Sequence, residues 1–149
     1  ARVAEVLAGP SAEPYWKLRL RGACEELFFL TTLDRTPEMV RIFREHAARE
    51  RYPEAEAGVY LQPTVQGTSC HCAFDLPYRR GDAAQVTSVQ RVLTATSEAL
   101  MDAGAFFSRP YGALADAAYR RDAVTTEVLK KVKGVFDPHR ILNPGKLCF

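Results

Sequence analysis

Residues 68–78, Thr-Ser-Cys-His-Cys-Ala-Phe-Asp-Leu-Pro-Tyr, constrain the fold more than any other stretch. Cys70, Cys72, Phe74, Leu76 and Tyr78 share one face of an extended chain. Ser69, His71, Ala73, Asp75 and Pro77 share the other. Successive side chains of a strand point to opposite faces, so this reads as a strand with one apolar face to bury. A sheet built on it needs helical cover on the Cys70–Phe74 side. His71 then points away from the helices, toward whatever meets the open side.

The rest of the chain supplies partners and cover. Residues 15–21 alternate, Trp16, Leu18 and Leu20 against Lys17, Arg19 and Arg21, which predicts a first strand. In phase, it would set its three cations on the open side. Gly22-Ala23-Cys24 reads as a turn or bulge, and 26–33 as a second strand with an apolar run at Leu27, Phe28, Phe29 and Leu30. Asp34 to Thr36 supply helix-start chemistry before Pro37 and Glu38. Met39, Val40, Ile42, Phe43 and Ala47 form that helix's apolar face, and it ends before Pro53. Residues 59–65 and 68–78 read as a hairpin turning near Gln66-Gly67. Asp82 caps the longest helix, striped by Val86, Val89, Leu93 and Leu100 and followed by Gly104.

Residues 105–112 form a short strand or loop. A last helix over about 122–133 turns Val124, Val128, Leu129 and Val132 inward. Lys130, Lys131 and Lys133 complement its dipole, and Gly134 fits a left-handed closing position. Asp137-Pro138 and Asn143-Pro144-Gly145 are turn chemistry, with Ile141 and Leu142 between them as an apolar plug. The order of elements predicts an α+β fold: an antiparallel sheet with helices packed on one face, in a ferredoxin-like arrangement.

A chain of 149 residues is one domain by length. A net charge of +2 is too mild for a nucleic-acid footprint. No apolar run approaches the ~20 residues of a membrane helix. The expectation is a soluble, cytoplasmic chain with no nucleic-acid partner and no membrane span. Cys24, Cys70, Cys72 and Cys148 do not make a disulfide framework and read as free thiols of a reducing compartment. Cys70-His71-Cys72 is a poor metal site, because alternation sends the imidazole opposite the thiols. Residues 1–14 carry only a weak helical signal, over 3–7, and read as a lead-in. The chain opens on Ala1-Arg2-Val3 without a signal-peptide pattern, as part of a longer product.

Val132-Lys133-Gly134-Val135-Phe136-Asp137-Pro138-His139-Arg140-Ile141-Leu142-Asn143-Pro144-Gly145-Lys146 closely resembles the closing motif of FAD-linked oxidases. These are the flavoenzymes grouped with vanillyl-alcohol oxidase, para-cresol methylhydroxylase, D-lactate dehydrogenase and glycolate oxidase. The resemblance implies that residues 15–149 are a cap, or substrate-binding, domain. Residues 1–14 would lead in from a missing N-terminal FAD-binding domain. It implies FAD as cofactor, that domain as partner, and hydride transfer from an alcohol, hydroxy acid or alkylphenol-type small molecule to FAD. A cytochrome or other electron acceptor and a homo-oligomer are further partners it suggests. Nothing in the chain resembles a dinucleotide-binding glycine-rich turn, so this chain alone should not turn over substrate.

Site residues follow from the same resemblance. The corresponding cap strand faces flavin and substrate in such enzymes, and some members attach flavin through a cap-domain His or Tyr. His71 is the matching candidate for attachment or for contact with substrate. Related sequences carry an acid two positions beyond this His. Ala73 stands there, which argues against metal binding and His–acid catalysis. Arg109 matches the Arg of an active-site Tyr–Arg pair. Its cation would stabilise charge on reduced flavin or clamp a substrate carboxylate. Ser108 replaces the Tyr of that pair, leaving Tyr111 as the substitute. Asn143, Gly145 and Lys146 are expected to dock on the FAD-binding domain, either reaching the cofactor or serving a purely structural role. Tyr60 and Gln62 could line the same open face, although ordinary sheet surface is the plainer reading.

Two rivals stand beside this reading. One is a non-catalytic ferredoxin-like module that binds a ligand or oligomerises through its open sheet face. The other, a sheet-platform nucleic-acid binder, needs aromatics on that face, whereas Trp16 and Phe74 are expected on the helix side.

Overall fold

The computed structural model describes residues 15–64 and 67–144. The lead-in, Val65 and Gln66 of the hairpin turn, Gly145, Lys146 and Cys148 lie outside the described residues. Three strands, β1 (Ala23–Thr32), β2 (Gly58–Pro63) and β3 (Ser69–Tyr78), form an antiparallel sheet in the order β1-β3-β2. The strand with the cleanest alternation is therefore the central one. His71 pairs with Leu30 on one side and Gln62 on the other, and Ala73 pairs with Phe28 and Tyr60.

Helices α1 (Thr36–Arg49) and α2 (Ala83–Asp102) cover one face of the sheet. The core forms where their apolar stripes meet the Cys70, Cys72, Phe74 and Leu76 side of β3. Phe74 lies at its centre, stacked on Phe43 at 4.3 Å and tilted against Phe29 at 5.5 Å. Aromatic pairs at these separations add to area burial. Pro37 sits in the first turn of α1. The Asp82 carboxylate caps α2, accepting from Ala84 N at 3.0 Å and Gln85 N at 3.1 Å. Gly104 follows α2 at φ +82°, where a Cβ would be strained. The α2 stripe is wider than the sequence suggests, since Val92, Thr96 and Ser97 are buried beside Val89 and Leu100.

The observed fold is α+β, with helices on one side of an antiparallel sheet. Leu30 and Phe106 exchange backbone hydrogen bonds at 2.8 and 2.9 Å on the outer edge of β1. This is an isolated bridge rather than a further strand of the sheet.

Residues 15–21 are not a strand. Trp16–Leu18 form a 3-10 turn, and the chain reverses at Gly22, φ +84°. Trp16 and Leu20 stay exposed, and Trp16 is not on the helix side. The physical reason is Asp75, which faces the open side of β3 yet is only 4% exposed. A buried carboxylate needs a cation. The 3-10 turn crosses the sheet and sets Lys17 Nζ 2.9 Å from Asp75 and 2.7 Å from Glu26. Burial alone would lower the Lys17 pKa, but these hydrogen bonds outweigh it and hold it at about 12. Gly22-Ala23-Cys24 is likewise not all turn, because Ala23 and Cys24 already belong to β1.

Asp75 also fixes a glycine. A Cβ on Gly58 would lie 2.9 Å from Asp75 Cβ across the β2–β3 pair. Gly58→Ala should therefore lower stability by about 1–3 kcal/mol in urea unfolding. Gly81→Ala, whose added Cβ meets nothing within 4 Å, should change it little.

The C-terminal third departs most from expectation. A short helix, α3 (Ala113–Arg120), precedes the last one, α4 (Ala123–Phe136). Asp122 caps α4 through Thr125 N at 2.9 Å and Thr125 Oγ1 at 2.6 Å. Its stripe does not turn inward. Val124, Val128, Leu129 and Val132 are all exposed, and no residue of α4 is buried. Nor does Gly134 end the helix, which runs through it to Phe136. Asp137 N donates to Lys133 O at 2.7 Å, and Lys133 Nζ reaches the Asp137 carboxylate at 2.6 Å, extending the helical pattern. Ile141 and Leu142 are exposed too, so they are no plug. The tail turn is held by polar bonds instead. Asp137 accepts from Ile141 N at 2.9 Å and Leu142 N at 3.1 Å. Lys133 and these amides keep the Asp137 carboxyl below the ordinary carboxylate range against the effect of burial.

Candidate functional site

The register assigns Glu26, Phe28 and Leu30 of β1, Asp75, Ala73 and His71 of β3, and Gly58, Tyr60 and Gln62 of β2 to the side opposite the helices. Its two ends differ. At one end, Lys17, Glu26 and Asp75 close the surface as an ion-paired cluster. At the other, four side chains make a row across all three strands.

The row runs Arg109, Phe28, His71, Tyr60. Arg109 Cζ stands 5.3 Å from the centre of the Phe28 ring. His71 stacks against that ring at 6.0 Å, with 29° between the planes. Tyr60 meets the imidazole edge-on at 6.2 Å and donates its hydroxyl to Gln62 Oε1 at 3.1 Å. Ala73 is buried between its partners Phe28 and Tyr60. An acid at that position would be wedged between two rings. The absence of one there therefore suits the row.

Residues 105–112 deliver Arg109. The Phe106 bridge ties the segment to β1, and Phe107 is buried 5.7 Å from Phe29. Pro110 is buried as well, so Arg109 is carried over the β1 edge between two anchored neighbours. Arg109 is exposed, and no carboxylate among the described residues pairs with it. Its contact with Phe28 is a cation–π interaction worth about 0.5–1 kcal/mol at an exposed site. The guanidinium is thus oriented but not neutralised, which leaves it able to meet an anion.

His71 and Arg109 are brought together, with Phe28 as the group they share. Phe28 was not identified from sequence as a site residue. Its signal was the period of two that places it with Glu26 and Leu30, masked by the unbroken apolar run 27–30. Tyr60 and Gln62 do line the face. Tyr111 is separate: it is exposed and lines a cleft with Glu25 and Leu114 rather than the row. Asn143 sits in the tail turn, exposed at φ +48°, and outside the row.

Cys24 and Cys72 are poor nucleophiles. Burial, aided by Asp75, raises Cys24 to about 11, and burial beside Cys70 pushes Cys72 up. Both stay protonated at neutral pH. Cys70 and Cys72 face the core, opposite His71.

Residues 111–147 match the family model described as FAD linked oxidases, C-terminal domain. The match covers well under half of the chain. It takes in α3, α4 and the tail turn, and it begins two positions after Arg109. It supports a C-terminal domain of an FAD-linked oxidase. Comparison with curated proteins and with solved structures gives no match. No helix among the described residues is long and apolar enough to cross a membrane.

Proposed function

We propose that residues 15–149 are the substrate-side portion of an FAD-linked oxidoreductase, with the open sheet face turned toward flavin and substrate. One juxtaposition carries this reading. An unpaired Arg109, just ahead of the matched segment, is held over Phe28 beside His71 on the face that the helices leave uncovered.

The row fits a planar ring system with an electron-rich edge. Phe28, His71 and Tyr60 offer ring surface, and Arg109 offers a fixed cation at one end. The sequence has no dinucleotide-binding glycine-rich turn, so an FAD-binding partner domain would hold the pyrophosphate end of the cofactor. When bound, FAD supplies the acceptor for a hydride from the alcohol, hydroxy acid or alkylphenol-type substrate. Arg109 then stabilises negative charge that develops beside it, more strongly once a partner excludes water. His71 is the point of flavin attachment or the hydrogen-bonding group toward substrate. Phe28 and Leu30 keep water from the row.

The apolar surface of α4 is the proposed contact with that partner domain. Val124, Val128, Leu129, Val132, Val135 and Phe136 recur at helical spacing and are exposed, Val124 and Phe136 by 77% and 78%. Exposed apolar patches of this kind mark association surfaces.

The test is the visible spectrum of the native gene product, before and after acid precipitation. Flavin bands retained in the pellet would mean covalent attachment, to be mapped to His71. Flavin released to the supernatant would keep the reading and assign His71 to substrate. A product no longer than this chain and free of flavin would sink it in favour of a ligand-binding module.

A further inference from the structure

A second cleft, of about 250 Å³, opens between the outer edge of β1, α2 and the start of α3. His71 and Arg109 do not line it, and the argument for it is independent of flavin. Its apolar wall is Leu27, Leu93 and Leu114, and Glu25, Glu98 and Tyr111 stand around it. Glu25 pairs with Leu76 across the sheet and so faces the helix side, where it is half-buried. Its partner there is the Tyr78 hydroxyl at 3.2 Å, and no cation among the described residues neutralises it. A carboxylate partly withdrawn from water with only a hydroxyl partner favours an added cation. Glu98 is exposed and also lacks an ion pair. The nearby Arg121 gives its guanidinium to Asp102 at 2.5 Å and to the Glu98 carbonyl at 3.4 Å.

Three other charges bear on the balance. Arg80 lies beside the Tyr78 hydroxyl, where it opposes the rise that burial and Glu25 cause, but it does not line the cleft. Glu26, at the rim, shares the one Lys17 ammonium with Asp75, so that cluster keeps one negative charge. The N-terminus of α3 opens on the cleft and carries about half a positive charge. Two carboxylates outweigh it, and the cleft stays negative. Consistent with that field, partial withdrawal of the Tyr111 hydroxyl from water, then Glu25 and Glu26, push the phenol up against the opposing Lys17. The volume is below the ~300 Å³ at which drug-sized pockets begin, so a single ring or short alkyl chain fits.

We propose that this cleft binds a small amphiphilic cation, an alkyl- or aryl-substituted ammonium ion. The apolar part lies against Leu27, Leu93 and Leu114, and the ammonium group lies between Glu25 and Glu98.

Amide-shift titration of the 149-residue chain with benzylammonium tests this, with benzyl alcohol and benzoate as matched probes. Saturable shifts at Leu93, Leu114 and Tyr111 are expected, with benzyl alcohol about fivefold weaker, as expected for one partly exposed ion pair. Glu98→Gln lies on an exposed side chain and should keep the fold while weakening benzylammonium by a similar factor. Glu25→Gln should do the same, provided its spectrum stays dispersed. Equal affinity for the alcohol would reduce the cleft to an apolar hole and overturn the proposal. Preference for benzoate would mean that the α3 terminus dominates, and would also overturn it. So would shifts elsewhere, no shifts, or an unchanged affinity in Glu98→Gln.

Discussion

Phe74→Ala should cost about 3–5 kcal/mol of stability, the usual range for emptying a fully buried aromatic site. Phe74 is fully buried on the central strand, with Phe43 at 4.3 Å and Phe29 at 5.5 Å. All three rings sit on different elements, so the cavity cannot close by moving one of them. Against the ~5–15 kcal/mol of a typical domain, the variant should be marginally folded. Urea unfolding followed by circular dichroism reads this directly. Val128→Ala on α4 is the internal comparison. Its side chain is half exposed, and its loss should change stability by less than about 0.5 kcal/mol. A Phe74→Ala loss below 1 kcal/mol would mean that the core is centred elsewhere.

Arg109→Gln should slow substrate-dependent flavin reduction in the native product by about 10²–10³-fold, the usual effect of removing one preorganised charge-stabilising donor. The same change should alter stability by less than about 1 kcal/mol, because Arg109 is exposed and its described contact is the Phe28 ring. That split separates a role at the site from a role in the fold. Stopped-flow reduction with the native substrate, beside urea unfolding, measures both halves. A rate loss under tenfold would remove Arg109 from the neighbourhood of the developing charge. Arg109→Lys should recover only part of the rate, since a point ammonium cannot reproduce a planar guanidinium over a ring.

Much of the α+β fold was legible because its signals are local. The alternation of 68–78 identified β3 and placed His71 opposite the cysteines. Asp82 caps its helix, as a single carboxylate at a helix start does. The closing motif was legible as a string of residues, and the family match over 111–147 contains it. The candidate site was half legible. His71 and Arg109 could be named, but Phe28, which both of them touch, could not.

The misses share a cause. Seven alternating residues, 15–21, satisfy a strand pattern, yet a buried Asp75 fifty-eight positions away from Lys17 decides their conformation. Leu27, Phe28, Phe29 and Leu30 are all apolar, so only the register against β3 tells Phe28 from Phe29. The stripe of α4 has the period of a buried helix face, but period reports that an apolar face exists, not what covers it.

By itself, then, the sequence determined features that depend on neighbours in the chain: the period of β3, the Asp82 cap and the string of the closing motif. The tertiary structure alone decided which apolar faces are covered, which charges meet, and that Arg109 and His71 share one ring. Burial and ion pairing are properties of two distant segments at once, and no local window contains both.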